Sequence, residues 1–381
     1  MDFRLDEDQA LFAATVQKFV QNEVAPLAET LDRESRFPKE TIAKMAELGL
    51  MGVSVPEELG GSGGDYLSYI LFVEELAKAC ASTAVIVAVH TGLGCGALQA
   101  FGTPEQQERF LQPLAEGRMI GGYALTEPNA GSDAASIQLE ARDAGDHFVL
   151  NGSKMWITNA TEAGVFITFV RTEPGSRGAN GVTCLLVERD TPGLTISAPI
   201  EKMGLHGSPT CELIFEDARV PKANVLGTIG EGFKVAMRLL DGGRIAIAAQ
   251  GLGIAEGAFQ YACKYIKERQ QFGRSIAANQ GIQWMVADMA SEIEAAKLLV
   301  YQAAWLKTNG LPHGKEASIA KKYATDTAMR VTTDCVQLLG GYGYSKEYPV
   351  ERYMRDAKVT QIYEGTNQVQ RLVIAKYLLR D

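Results

Sequence analysis

The chain has little that would tie it to a membrane, a nucleic acid or an oxidising compartment. It contains no C-x-x-C pair, and its six cysteines (Cys80, Cys95, Cys184, Cys211, Cys263, Cys335) stand singly, mostly among apolar neighbours. That usage suits reduced core thiols in a reducing compartment. Four histidines, His90, His147, His206 and His313, lie far apart, without the ligand spacing of a zinc or iron centre, so no metal is expected. No run of roughly 20 uncharged apolar residues is expected to cross a membrane. The start, Met1-Asp-Phe-Arg-Leu-Asp-Glu-Asp8, lacks the basic-then-apolar order of a secretion signal. The expectation is a cytoplasmic protein, or a mitochondrial matrix one if eukaryotic and already processed, without membrane insertion. An excess of basic charge is also missing: Lys+Arg 37 against Asp+Glu 46 leaves −9. General attraction to nucleic acid or anionic lipid is therefore disfavoured. No repeat recurs at a fixed period.

What is present is core-forming sequence. With 381 residues, 46% hydrophobic and 22% charged, the chain is long enough for two or three globular units. Apolar residues recur at helical spacing over Asp6 to Phe19, Lys39 to Leu48 and Leu67 to Cys80. Glycine-rich turns are expected at Glu58 to Asp65 and at Gly121-Gly122. From about Tyr123 to Gly227 the period shortens to two, with strands expected around Phe148-Leu150, Val165-Val170, Val182-Val187, Leu194-Ile196 and Cys211-Phe215. After Gly232 the helical period returns, and further helices are expected near 283–309, 315–339 and 369–379. The predicted units are 1–122, helical; 123–228, β; and 229–381, helical. This order does not alternate strand with helix, which argues against a doubly wound nicotinamide domain.

Two motifs act as decoys. Gly92-Leu-Gly94-Cys-Gly-Ala97 satisfies G-x-G-x-x-A but lies in a helical region and opens no βαβ unit. Gly60-Gly-Ser62-Gly-Gly64 matches a nucleophile elbow, yet no strong strand precedes it, and a surface turn is the better reading.

Other segments carry chemistry. Tyr123-Ala-Leu125-Thr126-Glu127-Pro-Asn-Ala-Gly131-Ser132-Asp133 offers hydroxyls and main-chain N–H groups to the polar edge of a planar cofactor. It also reads as a connector capped by Ser and Asp. Asn151-Gly152 reads as a tight turn leading into a strand that places Trp156 and Thr158 on one face. An indole can cover an isoalloxazine while the hydroxyl reaches its N5, or the tryptophan can be simple core. Arg269-Gln-Gln-Phe272-Gly273-Arg274 with Gln280 offers a cation and an amide to a pyrophosphate and an adenine. Gln337-Leu-Leu-Gly340-Gly341 offers bare main chain. Both also suit helix–turn–helix corners. In Tyr363-Glu364-Gly365-Thr366-Asn367-Gln368 a carboxylate follows apolar and aromatic residues. Burial would raise its pKa toward neutrality, where an acid or base works best; a surface loop end is the alternative.

Taken in order, Leu125-Thr126-Glu127-Pro128, Gly131-Ser132-Asp133, Trp156-Ile157-Thr158-Asn159, Asp241-Gly-Gly-Arg244, Arg269-x-x-Phe272-Gly273, Gln337-Leu-Leu-Gly340-Gly341 and Tyr363 to Asn367 resemble the acyl-CoA dehydrogenase family of flavoenzymes. The likeness runs from Asp2 to the C-terminus. Leu240-Asp-Gly-Gly-Arg-Ile245 with Ala248 to Glu256 is similar to the short-chain, butyryl-CoA branch. The resemblance implies a mainly α fold with a central β domain: an N-terminal helical domain, a middle β-barrel and a C-terminal four-helix bundle. It also implies a homotetramer built as a dimer of dimers, with FAD between the β domain and the bundle. By resemblance Tyr123, Leu125, Thr126, Ser132, Trp156, Ile157 and Thr158 meet the flavin half. Arg269, Phe272, Gln280, Gln337, Gly340 and Gly341 reach the adenosine diphosphate half across a subunit interface, and Thr366 and Gln368 complete the cofactor site.

The implied reaction removes an α proton and a β hydride from a saturated acyl-CoA thioester, with electrons passed on to an electron-transferring flavoprotein. Glu364 resembles the base and flavin N5 the acceptor. The Glu364 main-chain N–H and a ribityl hydroxyl would hold the thioester oxygen. Asp241, Arg244 and Ser132 resemble substrate contacts, with Tyr363 and Gly365 beside the base. Phe233, Met237 and Leu240 would line the acyl channel, although a plain core face explains the same stripe. Two departures stand out. Position 243 is Gly, where branches such as the isovaleryl type carry the catalytic carboxylate, which favours Glu364. His206 stands where relatives commonly carry Arg, leaving that loop's contact open. The competing readings are a relative with branched-chain, glutaryl or alicyclic acyl preference, an oxidase, and a silent helical assembly protein.

Overall fold

The computed structural model describes residues 5–379, so Asp2, where the family likeness begins, and the rest of residues 1–4 lie outside the described residues. Helices α1 (Glu7–Phe19), α2 (Ala28–Glu34), α3 (Lys39–Glu47) and α4 (Tyr66–Ala79) begin the chain. Asp6 opens α1 with a capping box shared with Gln9. Asp65 caps α4 through the Ser68 N–H at 2.7 Å and takes the Gln9 side-chain amide at 2.9 Å, tying the two helix starts together.

Behind α4 runs a continuous helical rod made of α5 (Ala81–Val87), a π-helical stretch (Ala88–Cys95) and α6 (Gly96–Phe101). It corrects one expectation: Ala81–Phe101 is long and apolar enough to span a bilayer, with a mean hydropathy of 1.6. Its buried side chains form part of the helical core, and five of the six cysteines, Cys95 of this rod among them, are likewise buried. The G-x-G decoy lies in this rod and serves packing. A Cβ on Gly92 would stand 2.6 Å from the Tyr69 hydroxyl, and one on Gly94 would meet the Gly121 Cα at 3.4 Å. In the other decoy the Ser62 hydroxyl donates to the Gly49 carbonyl at 2.7 Å, holding a turn. Short helices α7 (Pro104–Gln106) and α8 (Gln112–Ala115) finish this part.

The middle of the chain supplies β1 (Ile120–Ala124), β2 (Glu140–Asp143), β3 (His147–Thr158), β4 (Ala163–Arg171), β5 (Val182–Glu188), β6 (Leu194–Ile196), β7 (Thr210–Pro221) and β8 (Val225–Leu226). They pair in the order β6-β7-β3-β2-β4-β5-β8, with β1 parallel beside β4. The pairing path ends at β6 and β8, so the expected barrel is met as one mixed eight-stranded sheet. Alternation splits its side chains between two cores. Phe166, Val170, Leu185 and Val187 join Phe148, Leu150 and Leu213 inside the sheet, while Val165, Ile167, Phe169 and Cys184 face the helices. Two expected turns are strand instead. Gly121-Gly122 lies in β1, because a side chain on Gly122 would meet the Phe166 ring at 2.7 Å. Asn151-Gly152 lies within β3 opposite a bulge of β7, where Glu216 and Asp217 together face Asn151, and the Asn151 side chain accepts from the Asp217 N–H at 2.9 Å.

The last part is α9 (Gly232–Glu268), a two-residue hairpin of β9 (Gln270–Gln271) and β10 (Arg274–Ser275), then α10 (Gln280–Thr308), α11 (Gly314–Leu339), α12 (Val350–Thr360) and α13 (Asn367–Leu379). Helices α9 to α12 pack on one another; α12 had no counterpart in the sequence reading. Gly253 and Gly257 let α9 lie against the Glu74 and Lys78 carbonyls of α4, where any Cβ would collide. A polar junction joins all three parts. Arg355 on α12 grips Asp32 (2.7 Å) and Glu351 (2.6 Å), and Asp356 accepts the Leu205 N–H at 2.6 Å. His206 meets Asp32 at 3.0 Å, which settles the contact of its loop.

His90, inside the buried rod, accepts the Gly121 N–H at Nδ1 and donates from Nε2 to the Leu114 carbonyl, both at 3.1 Å. Burial lowers its pKa from 6.5 to about 4. The unfolded chain therefore binds this proton first, so the contribution of His90 is whole above pH 6.5 and lost as pH falls through about 4. Urea unfolding between about pH 7 and pH 4.5 is expected to show a smaller loss of stability in His90→Gln than in the parent chain.

Candidate functional site

Glu364 ends the tight turn after α12. Its backbone is left-handed at φ 54°, followed by Gly365 at φ 87°. A side chain on Gly365 would also strike the Gln370 amide at 2.6 Å, so the turn admits only glycine there. Gln370 donates to the Gly365 and Glu364 carbonyls at 2.9 and 3.2 Å. The turn aims the carboxyl at α9: a Cβ on Gly243 would stand 2.6 Å from the Glu364 Oε2. That oxygen is buried without a hydrogen-bond partner among the described residues. Burial pushes the Glu364 pKa up to about 7, against the pull of the Arg244 and Lys321 charges.

Of the expected substrate residues, Phe233, Met237, Leu240, Asp241 and Arg244 lie on α9, and Arg244 acts on this carboxyl. Arg244 is 7% exposed and bonds the Asp241 carboxylate through Nη1 at 2.6 Å, while its Nε is buried with no partner among the described residues. Phe233, Met237 and Leu240 form a half-buried stripe of α9 packed on the helical core. The Tyr363 hydroxyl donates to the Gln250 side chain, which donates in turn to the Ala81 carbonyl at 2.9 Å. Burial, with the Glu364 charge adding to it, raises the phenol pKa values of Tyr66, Tyr69, Tyr123 and Tyr363. The carboxyl thus faces a dry, aromatic space.

A second group forms at the sheet. The Met155 N–H donates to the Thr126 carbonyl at 2.8 Å, drawing the 125–127 segment alongside the end of β3. There the register shifts again between Lys154 and Ile157, and Trp156 takes a left-handed φ of 64°. The bulge alters the simple alternation expected of Trp156 and Thr158. It turns the indole outward, 53% exposed, which overturns the core-tryptophan alternative. Ile157 points into the inner core and Leu125 into the outer one, so these two can offer a ligand only main chain. Tyr123 sits on β1 with its hydroxyl buried and without a partner among the described residues. Ser132 stands exposed in the loop before β2.

The third group is remote. Arg269, just past α9, stacks over the Tyr342 ring at 5.3 Å, beside Gly340 and Gly341, whose Cβ positions meet nothing within 4 Å. Phe272 at the hairpin tip is 99% exposed, and Gln280 and Gln337 are exposed on α10 and α11. The helix–turn–helix reading holds for 337–341, where α11 gives way through a 3-10 turn to α12, but not for 269–274, where Phe272-Gly273 is a tight β-hairpin turn with both φ values positive. At the helical rise Arg244 and Arg269 stand roughly 37 Å apart along α9, so one chain does not bring these groups together. Thr366 and Gln368 line a cavity of about 420 Å³ with Asp326, Gln361 and Arg371.

Sequence reasoning missed several supporting residues. Lys154, fully buried, donates to the Leu125 carbonyl at 2.9 Å and to Glu127 at 2.8 Å; Glu127 also accepts the Gln138 and Leu139 N–H groups. Lys321 on α11 is equally buried and donates to the Gly365 carbonyl at 2.8 Å and the Asn367 side chain at 3.0 Å. A signal existed for Lys321, which falls on the buried stripe of Ala317, Ala320, Ala324 and Ala328.

The residues fit a flavin dinucleotide. An outward indole beside Thr126 and Thr158, a buried unpartnered Tyr123 hydroxyl, and a guanidinium beside two open glycines suit an isoalloxazine and a pyrophosphate. Comparison with known proteins identifies the family. Family models for the acyl-CoA dehydrogenase N-terminal, middle and C-terminal domains match residues 6–118, 122–218 and 230–379. A short-chain specific acyl-CoA dehydrogenase of Clostridium acetobutylicum is 51% identical over 100% of both chains. Butyryl-CoA dehydrogenase from Megasphaera elsdenii superposes with a TM-score of 0.97 at 48% identity, covering 100% of each chain. A chain from a structure described as "Electron transferring flavoprotein of Acidaminococcus fermentans: Towards a mechanism of flavin-based electron bifurcation" gives 0.98 and 51%, again over 100% of both. With three domain models matched in order and a full-length relative at half identity, the chain belongs to the acyl-CoA dehydrogenase family.

Proposed function

We propose that the chain is an FAD-dependent dehydrogenase that converts short-chain acyl-CoA thioesters to trans-2-enoyl-CoA and passes the electrons to an electron-transferring flavoprotein. The observation that carries this reading is the Glu364 carboxyl, aimed at Gly243 with a buried, unpartnered oxygen and a pKa raised to about 7. An α C–H beside a thioester needs a base of that strength, kept from water. Glu364 takes the α proton onto its carboxylate. Arg244, held by Asp241, supplies a fixed positive charge beside it. The Glu364 main-chain N–H donates to no group among the described residues and suits the thioester oxygen as enolate charge develops. Bound FAD supplies the acceptor for the β hydride. Trp156, Thr126 and Thr158 would hold its ring, with Thr366 and Gln368 completing that side.

Arg269, Phe272, Gln280, Gln337, Gly340 and Gly341 would hold the adenosine diphosphate half of a cofactor bound by a neighbouring subunit. Their distance along α9 from Arg244 supports that division. So does the exposed apolar surface of Phe272, Trp284, Trp305, Leu372 and Leu378, which a homotetramer would cover. The three proposed units keep the limits 1–122, 123–228 and 229–381. Similarity to the short-chain Clostridium and Megasphaera proteins supports the short acyl group.

The purified protein is expected to be yellow, and anaerobic butyryl-CoA is expected to bleach it with little peroxide formed in air. A colourless chain that takes up no FAD would support the assembly-protein reading, and rapid peroxide the oxidase. Glu364→Gln is expected to slow flavin reduction at least roughly 10²–10⁴-fold at unchanged FAD content; bleaching at the parent rate would remove Glu364 from the reaction. Because the carboxyl is protonated below a pKa of about 7, the rate of bleaching by the parent enzyme is expected to fall as pH drops through that value. Stopped-flow absorbance across pH measures this limb.

A further inference from the structure

The reaction as proposed uses Glu364 and Arg244 but leaves a second buried cation beside the base without a role. Lys321 is 0% exposed on α11. Its Nζ reaches the Gly365 carbonyl at 2.8 Å and the Asn367 Oδ1 at 3.0 Å, both neutral oxygens. Those two acceptors belong to the turn that carries Glu364, and Gly365 is its immediate neighbour. Asn367 is fixed further by donating to Thr325 Oγ1 at 2.9 Å and to Asp326 at 2.7 Å. A buried ammonium with only neutral hydrogen-bond partners is expensive unless a negative charge stands nearby.

We propose that Lys321 is a positioning residue for the Glu364 carboxylate: its ammonium clamps the turn through the Gly365 carbonyl and Asn367, and its charge favours the ionised base. This rests on Glu364 being the base. The groups facing the carboxyl are few. Arg244 comes from α9, Lys321 from α11, Tyr66 and Tyr69 from α4, Tyr123 from β1 and Tyr363 from the turn itself. Lys321 in turn faces Glu364, Asp326 and Arg244. Burial lowers the Lys321 pKa to about 7, while Glu364 and Asp326 act to raise it, so each member of the pair favours the charged form of the other. Loss of the Lys321 charge raises the Glu364 pKa and protonates the base at higher pH. A purely structural lysine would leave that titration where it is.

The test uses the FAD-loaded full-length enzyme, mixed anaerobically with butyryl-CoA, with the rate of flavin bleaching followed against pH. Lys321→Met is expected to move the acid limb up by about one pH unit at unchanged FAD content. Lys321→Arg, which keeps the charge, is expected to return the limb toward that of the parent even if its maximal rate is lower. An acid limb that stays in place in Lys321→Met, or one displaced equally in both variants, overturns the proposal. If Lys321→Met loses FAD, Lys321→Gln, which keeps an N–H donor without charge, is judged by the same outcomes. Glu364→Gln separates the two levels. Parent-like bleaching in that variant overturns the base assignment and this proposal together, whereas a dead Glu364→Gln with an unmoved limb in Lys321→Met overturns this proposal alone.

Discussion

One constraint organises the structure: a carboxyl must be kept dry, close to a helix backbone, and still able to ionise. Glu364 meets it by resting its Oε2 over Gly243, where α9 has no side chain to intervene. Arg244 follows directly in the sequence, so the helix that admits the carboxyl also brings a compensating charge. Isolated burial would leave the group a neutral acid. The neighbouring guanidinium and ammonium keep its titration in the range where a base is useful.

Helix α9 does more than line that site. Its first turn abuts β5, since a Cβ on Gly232 would fall against the Thr183 and Cys184 main chain. Its middle lies against the carbonyls of α4, and its far end carries Arg269 to the exposed hairpin. A single continuous helix therefore links the sheet, the N-terminal helices and the remote polar group. The junction of Asp32, His206, Arg355 and Asp356 locks the opposite flank.

Much of this was legible from residue order. The change of hydrophobic period from helical to alternating and back located the long helices and the main strands, because each buries one regular face. Glu364 read equally as a buried acid or a surface loop end from its neighbours alone, and the likeness to the family singled it out. What escaped depends on contacts between distant segments. Gly121-Gly122 looks like a turn until Phe166 is known to occupy the space its side chains would need. Asn151-Gly152 has the letters of a hairpin, but its partner strand bulges to match Asp217 and keeps it in the ladder. The outward tryptophan depends on a register slip that alternation does not encode. Lys321 was hidden by its neighbour Lys322, which is accessible; only the helical phase distinguishes the two.

The approach of Glu364 to Gly243 also makes each residue depend on the other's size. Two positions far apart in the sequence project to a single spot, and only one can be filled: a substituent at 243 would collide with the resident acid. Any side chain at 243 therefore needs the free end of Glu364 to move aside, which takes the carboxyl from the place it holds over the helix. The bare helix backbone at 243 is thus as much a part of the carboxyl's seat as the turn that carries it, and the two positions constrain each other across the length of the chain.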